Sequence, residues 1–304
     1  MPVAAATPPT VVEWLGLRVE LDQPWELVRH SLSARKGSLV FADRYRQRLQ
    51  VLWTACVKRP DIDRLLADHR AKQSEGVPED ASDAWRDAEI PAGWKGLIHD
   101  QPDAPPLLRA ARFDPATSRL LEAILPLPVR EDDPGDAFGG RLLQGLRIVL
   151  PPSEARRLRA FGVSIDCPAG WRPTSSRVMP ADVQFTFAPA DAADDRRVTL
   201  RRRAMADVWF DGELKPLLQA EAGKRVKVEF RPGPAGAVEG RWDLPGPRYR
   251  RLLGRHRVGL ARVWHDPRQH AVFEMRAEGP APDPPPLTGF TLRRDEQTHK
   301  DPDA

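Results

Sequence analysis

Arginine side chains in the second half of the chain are the strongest candidates for binding chemistry in this sequence. In the stretch RRVTLRRR, strand alternation would place Arg197, Arg201 and Arg203 on one face. The stretch RYRRLLGRHR then supplies further arginines, namely Arg248, Arg250, Arg251, Arg255 and Arg257. Clustered guanidinium groups bind carboxylates and phosphates through paired hydrogen bonds. We therefore predict one basic binding surface from these residues, and a merely solvated arginine-rich face is the alternative interpretation.

The distribution of charge along the chain favours such a surface. Residues 1–150 carry 20 Lys+Arg against 22 Asp+Glu, whereas residues 151–304 carry 27 against 21. The stretch 196–276 alone has 19 basic and 9 acidic residues. A local excess of positive charge attracts acidic macromolecules and speeds their association. The expected partner is a protein with an acidic surface, and nucleic acid bound by the same face is the alternative.

Residues with catalytic or metal-binding potential are few and poorly spaced. His265, Asp266 and His270 flank one turn, and a catalytic or metal site there is the enzymatic alternative that we retain. The chain has no His-x-x-x-His or Cys-x-x-Cys pair and no acidic cluster with calcium-loop spacing. It also has no Gly-x-Ser-x-Gly, Walker or dinucleotide-binding motif. We therefore expect a non-enzymatic protein without a catalytic, cofactor-binding or metal site.

Composition and the N-terminal stretch predict where the protein resides. The chain has 2 cysteines, too few for a disulfide framework. It contains no apolar run long enough to span a membrane, and the stretch MPVAAATPPTVVEW lacks the basic and apolar regions of a secretory signal. These features predict a cytoplasmic protein without a membrane span.

Two stretches 146 positions apart follow the same pattern and indicate an internal repeat. LGLRVELDQPW runs from Leu15 to Trp25, and FGVSIDCPAGW runs from Phe161 to Trp171. In both stretches apolar residues alternate with polar ones before a proline-containing turn, as in a strand with one buried face. We expect both tryptophans to lie in the core or at its edge.

A second pair of stretches repeats in the same order, with an offset of 152 positions. LRAARFDPATSRLLEAILP and LARVWHDPRQHAVFEMRAE each predict a β-hairpin closed by an Asp-Pro turn. The identical positions are Leu108, Asp114, Pro115 and Glu122 in the first stretch and Leu260, Asp266, Pro267 and Glu274 in the second. Two matches in the same order favour a tandem duplication.

The remaining patterns predict the same elements in each half: three strands, a helix, the hairpin and a short closing element. We expect an α+β fold class, with two tandem repeats that are each an antiparallel β-sheet packed with one or two helices. The two modules span residues 1–150 and 151–304. The second module is expected to end in a proline-rich tail from about residue 280.

The opening of the second half, followed by two strands, a helix and a hairpin, resembles the PsbP-like fold. That fold is shared by the photosystem II extrinsic protein and the Ran-binding nuclear import factor family. Pro168, Gly170 and Trp171 match the turn that usually opens it, whereas the first half has Asp22, Gln23 and Pro24 before Trp25 and no glycine. The resemblance implies tandem modules with a non-enzymatic adaptor or assembly role.

Together these features predict an adaptor that binds an acidic protein through a basic face of its second module. Arginine–carboxylate pairing would supply the specificity and the association rate. On this hypothesis charge reversal at Arg201 and Arg203 abolishes binding without lowering the melting temperature.

Overall fold

The protein is described by a computed structural model that covers residues 9–74, 85–101, 104–128, 135–149, 155–244, 256–281 and 287–294. The chain divides into two compact units, with the border between Leu150 and Pro151.

Both units are built mainly from antiparallel strands, so the predicted α+β fold class is wrong. Strands make up 54% of the structure and helices 17%, which defines a β-rich fold. The strands include β18 (Arg257–Asp266) and β19 (Ala271–Pro280), which have 10 residues each. The one helix predicted in this part of the second half corresponds to α4 (Leu214–Ala222), which has 9 residues, and a further helix of 4 residues, α3 (Ala206–Trp209), precedes it.

The first unit contains a seven-stranded sheet in the order β3-β4-β5-β9-β8-β7-β6 and a second set in the order β10-β2-β1. Its elements are β1 Thr10–Trp14, β2 Leu17–Leu21, β3 Glu26–His30, β4 Lys36–Ala42, β5 Gln47–Ala55, α1 Ile62–Ser74, β6 Trp85–Asp87, β7 Lys95–Gln101, β8 Ala104–Asp114, β9 Arg119–Pro126, α2 Gly135–Gln144 and β10 Leu146–Ile148.

The second unit contains a seven-stranded sheet in the order β13-β14-β15-β19-β18-β17-β16 and a second set in the order β11-β12-β20. Besides β18 and β19, its elements are β11 Ala155–Ala160, β12 Val163–Pro168, β13 Trp171–Met179, β14 Asp182–Pro189, β15 Arg197–Arg203, α3 Ala206–Trp209, α4 Leu214–Ala222, β16 Glu229–Pro232, β17 Val238–Asp243 and β20 Thr291–Arg294.

The strand order of the two seven-stranded sheets is the same when the units are compared element by element. In each unit the first three strands of the sheet are consecutive, and the third then pairs with the last strand of the Asp-Pro hairpin. This equivalence agrees with the order of the sequence repeat, and the tandem duplication remains our proposal for its origin.

The segment predicted as a proline-rich tail contains regular structure. A 3-10 turn covers Leu287–Gly289, and β20 pairs antiparallel with β12 through contacts such as Leu292 with Ile165. Phe290 is buried and meets the ring of Trp171 edge-on, with 5.1 Å between centroids. Burial of Phe290 stabilises the packing of this segment on the second unit, whereas its prolines alone predict an extended tail.

Alternation of buried residues explains why the opening stretches form strands. Leu17, Val19 and Leu21 of β2 are buried, and Val163, Ile165 and Cys167 are buried at the corresponding positions of β12. This period of two is the pattern of a strand that packs one face on a core.

Local hydrogen bonds fix the turns and helix ends that position the sheets. The Asp114 carboxylate accepts a hydrogen bond from the Thr117 amide at 2.9 Å, and Asp266 accepts one from the Arg268 amide at 3.0 Å. Both Asp-Pro hairpins are therefore closed by the aspartate side chain. Gly223 ends α4 with φ of 104°, a backbone conformation that strongly favours glycine.

The tryptophans of the repeat occupy the core and its edge. Trp25 is buried and meets Phe138 edge-on at 6.0 Å between ring centroids. Trp171 is half-buried against Phe290, and the Arg196 guanidinium lies 5.9 Å from its ring centroid. Their recurrence therefore reflects packing at the first turn of each seven-stranded sheet.

A close approach of backbone and indole makes Gly259 sensitive to substitution. Gly259 lies opposite Trp242 on the neighbouring strand, and a Cβ at this position would overlap the indole ring. We expect Gly259→Ala to destabilise the second unit by about 1–3 kcal/mol, because overpacking forces the ring out of its rotamer. Urea unfolding of the single variant and of Gly259→Ala in a Trp242→Ala background measures this cost. An equal cost in both backgrounds would contradict the overlap.

Candidate binding face of the second unit

One face of the second unit's seven-stranded sheet is divided into an apolar and a polar part. Helix α4 packs over β17 and β18, where Leu218 meets a cluster that includes Trp242 and Val263. The polar part extends over β13, β14, β15 and β19, and we call it the polar face. By strand register its charged members are Arg172, Arg177, Asp182, Arg197, Arg201, Arg203, Glu274, Arg276 and Glu278.

Arg201 lies at the centre of the polar face and is held by two carboxylates. Its Nε and Nη2 donate to the two carboxylate oxygens of Asp182 at 2.7 and 2.8 Å. Its Nη1 donates to Glu221 Oε1 of α4 at 3.0 Å. The hydrogen bonds from Arg201 lower the pKa of Asp182, although burial of the carboxyl acts in the opposite direction. Arg201 therefore joins two strands and the end of a helix in one network.

Glu274 is the buried carboxyl of this network. It is 4% exposed, and Arg203 Nη2 lies 3.7 Å from its Oε2. This oxygen makes no hydrogen bond with any residue that the structure describes. Burial and the nearby Glu221 raise the pKa of Glu274 to about 7, and Arg203, Arg201 and Arg276 oppose the shift. The site therefore favours the neutral carboxyl at pH values below about 7.

Arg276 and Glu278 complete the paired part of the face. Their side chains form an ion pair, and Arg276 Nη1 donates to the backbone oxygen of Glu221 at 3.2 Å. The Arg276 guanidinium also lies 5.4 Å from the ring centroid of Trp242. Each of the carboxylates Asp182, Glu221 and Glu278 thus has an arginine partner.

Three arginines on this face remain unpaired among the described residues. Arg172, Arg177 and Arg197 are exposed and form no ion pair with any other residue that the structure describes. Because the carboxylates beside them are already paired, these guanidinium groups determine the sign of the potential above the face. The arrangement can bind carboxylates or other anions at several points at once.

Eight arginines were predicted from the sequence to form the basic binding surface, and the structure describes four of them. Arg197, Arg201 and Arg203 share one face of β15 as alternation predicts, but Arg201 and Arg203 have side chains only 18% exposed. Arg257 pairs with Asp195 at 3.3 Å. The other nominated residues, Arg248, Arg250, Arg251 and Arg255, lie outside the described residues.

The hairpin histidines have separate partners. The His265 ring packs on Phe210 with 4.9 Å between centroids, whereas His270 Nδ1 lies 3.7 Å from Asp207 Oδ1 on the surface. Asp266 is engaged in closing the turn. In the part of the chain that the structure describes, no group of three His, Cys, Asp or Glu side chains is placed to hold a metal ion.

The first unit also has a largely buried carboxylate, that of Glu122, at the equivalent register position. Leu52 pairs with Glu122 in the first unit as Arg201 pairs with Glu274 in the second. Glu122 Oε2 lies 3.3 Å from His69 Nε2 of α1, and Arg109 Nη1 lies 3.1 Å from the same nitrogen. Burial lowers the pKa of Arg109, and the charge of Glu122 opposes that shift. In each unit a glutamate of the hairpin thus lies near a side chain of the helix that packs on the sheet, His69 of α1 in the first and Glu221 of α4 in the second.

Sequence reasoning missed Arg172 and Arg177 and all the acidic partners of the arginine cluster. Arg172 and Arg177 are isolated in the sequence, and only the pairing of β13 with β14 brings them onto the face. The recurrence of Glu122 as Glu274 is a sequence signal that marks the buried carboxyl, because it is the one charged identity within the second strands of the two hairpins.

A comparison with protein-family models finds no match for this chain, and a comparison with curated protein sequences finds none either. Among the described residues, no helix combines the length and apolar character needed to cross a membrane.

Proposed function

We propose that this chain is a non-enzymatic binding protein whose second unit holds an acidic partner protein on the polar face. The observation that carries the proposal is the exposure of Arg172, Arg177 and Arg197 beside carboxylates that already have arginine partners. An acidic partner would gain new charge-assisted hydrogen bonds there without competing for an occupied guanidinium.

The paired network makes this face suitable for recognition because it fixes the sheet beneath the exposed arginines. Arg201 links β14, β15 and α4, so it holds the strand that carries Arg197 and the strand that pairs with β13, where Arg177 lies. A rigid set of cations loses little conformational freedom when it binds, which favours affinity. The resemblance to PsbP-like modules also favours an adaptor role.

Charge reversal of the exposed arginines tests the proposal. We expect the triple variant Arg172→Glu/Arg177→Glu/Arg197→Glu to bind fluorescent poly-L-glutamate at least about tenfold more weakly than the unmodified chain, because each reversal replaces attraction with repulsion. Its unfolding midpoint in urea should stay nearly unchanged, since exposed substitutions alter stability by about 0.5 kcal/mol or less. Fluorescence anisotropy and urea titration provide the two measurements.

The matched control reverses the same number of charges elsewhere in the unit. Lys224, Arg225 and Lys227 are exposed and lie between α4 and β16, outside the polar face. Their triple reversal should leave poly-L-glutamate binding within about twofold if the location of charge decides affinity. Equal losses in the two triple variants would contradict the proposal. Tighter binding of a single-stranded oligonucleotide, with an affinity that falls by a slope of about −0.7 per neutralised phosphate in log–log salt plots, would favour nucleic acid instead.

A further inference from the structure

We propose that the acidic partner anchors one large apolar side chain on a patch at the end of the polar face. The patch consists of Met179, Met205, Val208 and Trp209, and we call it the corner patch. This inference rests on the proposed function of the polar face and specifies the partner. Its chemical class is a protein whose acidic surface carries a protruding leucine, methionine or aromatic residue.

The exposed apolar residues of the second unit are concentrated in one place. Among the described residues of this unit, the large apolar side chains that are exposed are Val178, Met179, Met205, Val208, Trp209 and Phe230. All of them except Phe230 belong to the end of β13 or to the segment 205–209. Single exposed apolar residues are normal on a protein surface, whereas a group of them marks an interaction site.

Backbone hydrogen bonds hold the two parts of the corner patch in place. The Ala204 amide donates to the Ala181 oxygen at 2.8 Å, which joins the end of β15 to the turn between β13 and β14. The Ala206 amide donates to the His270 oxygen at 2.7 Å, which fastens α3 to the turn of the Asp-Pro hairpin. The patch therefore stands on a fixed backbone and loses little conformational freedom when a partner binds.

The residue types and the backbone of the corner patch are typical of a contact site. Met179, Met205 and Val208 are 52%, 56% and 72% exposed. Methionine, tryptophan and arginine are enriched where proteins contact one another. Met205 also has a left-handed backbone conformation with φ of 56°, which is uncommon for a residue other than glycine. Such residues cluster at functional sites, where the surrounding structure holds them.

The position of Trp209 connects the corner patch to the polar face. Its Nε1 donates to the Ala204 oxygen at 2.8 Å, and the Arg203 guanidinium lies 5.0 Å from its ring centroid. Strand register places Met179 on the same face, because it is opposite Asp182, which is opposite Arg203. Neighbouring strands are about 4.8 Å apart, so Met179 lies only two strand spacings from Arg203. One bound segment can therefore cover both parts of the patch.

Charge complementarity favours an acidic partner at the corner patch. Arg177 precedes Met179 by two residues on β13, projects on the same face and is exposed. Side chains two residues apart in an extended segment also lie on one side, so a carboxylate at that distance from the anchoring residue would meet Arg177. The segment 205–209 has one carboxylate, that of Asp207, and its Oδ1 lies 3.7 Å from His270 Nδ1.

A second copy of this chain fits the patch less well than an acidic protein does. It would bring another set of exposed arginines to the same face, and like charges across an interface are unfavourable. We therefore assign the corner patch to a different protein.

The test uses two fluorescent peptides of equal charge. The parent has nine residues, with a central leucine, glutamates two and four positions away on both sides, and glycine elsewhere. The derivative has serine in place of the leucine. We expect the unmodified chain to bind the parent about tenfold more tightly than the derivative, because burial of a leucine side chain contributes on this scale. Fluorescence anisotropy measures both affinities.

Matched variants of the protein locate the anchor. Met179→Ser and Val208→Ser should each reduce the preference for the leucine peptide to about threefold or less, because they remove apolar surface from the patch. Phe230→Ser should retain the preference, since Phe230 is similarly exposed at 36% but lies on β16. The serine peptide measures the acidic contacts alone. Its affinity should stay within about twofold in all three variants, which also controls for loss of the fold.

The outcomes separate this inference from the function on which it rests. If the two peptides bind equally, or if Phe230→Ser lowers the preference as much as the two patch variants do, the anchor is disproved. If neither peptide binds while poly-L-glutamate still does, the inference fails and the proposed function stands. If no probe binds, both fail. Dimerisation in sedimentation velocity that Val208→Ser abolishes would identify a second copy as the occupant and overturn the inference.

Discussion

Replacement of Arg201 by alanine is expected to destabilise the second unit by about 3–5 kcal/mol. The side chain pairs with Asp182 and Glu221 together, and these carboxylates are only 18% and 26% exposed. Removing one partner of a buried ion pair leaves uncompensated charge, which costs far more than the pair contributes. Denaturant titration followed by far-UV circular dichroism measures the loss, because a change of this size is a large share of a domain's stability.

The neighbouring arginine supplies the control for this measurement. Arg197 lies on the same strand and face but is exposed and has no ion-pair partner among the described residues. Arg197→Ala should change the free energy of unfolding by about 0.5 kcal/mol or less. A loss below about 1 kcal/mol for Arg201→Ala would show that the network does not stabilise the fold.

The burial of Arg201 and Arg203 also changes how the binding face has to be tested. From the sequence alone, charge reversal at these two positions is expected to abolish binding and to leave the melting temperature of the protein unchanged. Both side chains are largely buried beside carboxylates, so a glutamate at either position would meet Glu221 at close range. Loss of binding in such a variant would reflect unfolding.

Stability of the second unit is expected to fall as pH rises from 5 to 8, by about 2–3 kcal/mol, because of Glu274. Burial raises the pKa of this carboxyl to about 7, above its ordinary value of 4.5 in the unfolded chain. Between these values the folded state binds the proton and the unfolded state releases it. Stability is therefore highest at the acidic end of this window and is lost as the pH rises through the folded pKa. The size of the loss follows because two pKa values that differ by one correspond to a free-energy difference of about 1.36 kcal/mol.

Glu274→Gln removes the titrating group and should remove this part of the pH dependence. Urea titrations at half-unit steps from pH 5 to 8 measure the free energy of unfolding for both proteins. The groups that face the Glu274 carboxyl are Arg201 and Arg203 of β15, Glu221 of α4 and Arg276 of β19.

A second glutamate on the same strand and face tests the assignment. Glu278 is paired with Arg276 and lies on the same face of β19. Glu278→Gln keeps Glu274 in place and should therefore retain the fall in stability with pH. If the difference between the unmodified chain and Glu274→Gln is constant from pH 5 to 8, Glu274 does not titrate in this window.

Strand alternation allowed part of the candidate face to be predicted from the sequence. Arg197, Arg201 and Arg203 share one face of β15, because side chains along any strand alternate regardless of tertiary contacts. Their acidic partners come from β14, α4 and β19, so strand pairing and helix packing decide which carboxylates neutralise which arginines. Local patterns do not contain that information, and the exposed arginines on β13 were missed for the same reason.

The fold shows the same division between local and long-range information. The two hairpins were predicted correctly because Asp-Pro turns have a local cause, seen in the hydrogen bonds of Asp114 and Asp266. The predicted proportion of helix to strand was wrong. Short strands such as β6 and β10 have three residues each and form only beside a partner strand. β20 depends in the same way on β12, which lies more than a hundred positions earlier.

The central pairing of each seven-stranded sheet has a consequence for the rate of folding. β5 meets β9 and β15 meets β19, so Leu52 with Glu122 and Arg201 with Glu274 are joined across about 70 positions of chain. The entropy of closing such loops is lost before any central contact forms, which slows sheets of high contact order to milliseconds or seconds. Each unit should therefore form its two flanking meanders early and join them in the slow step.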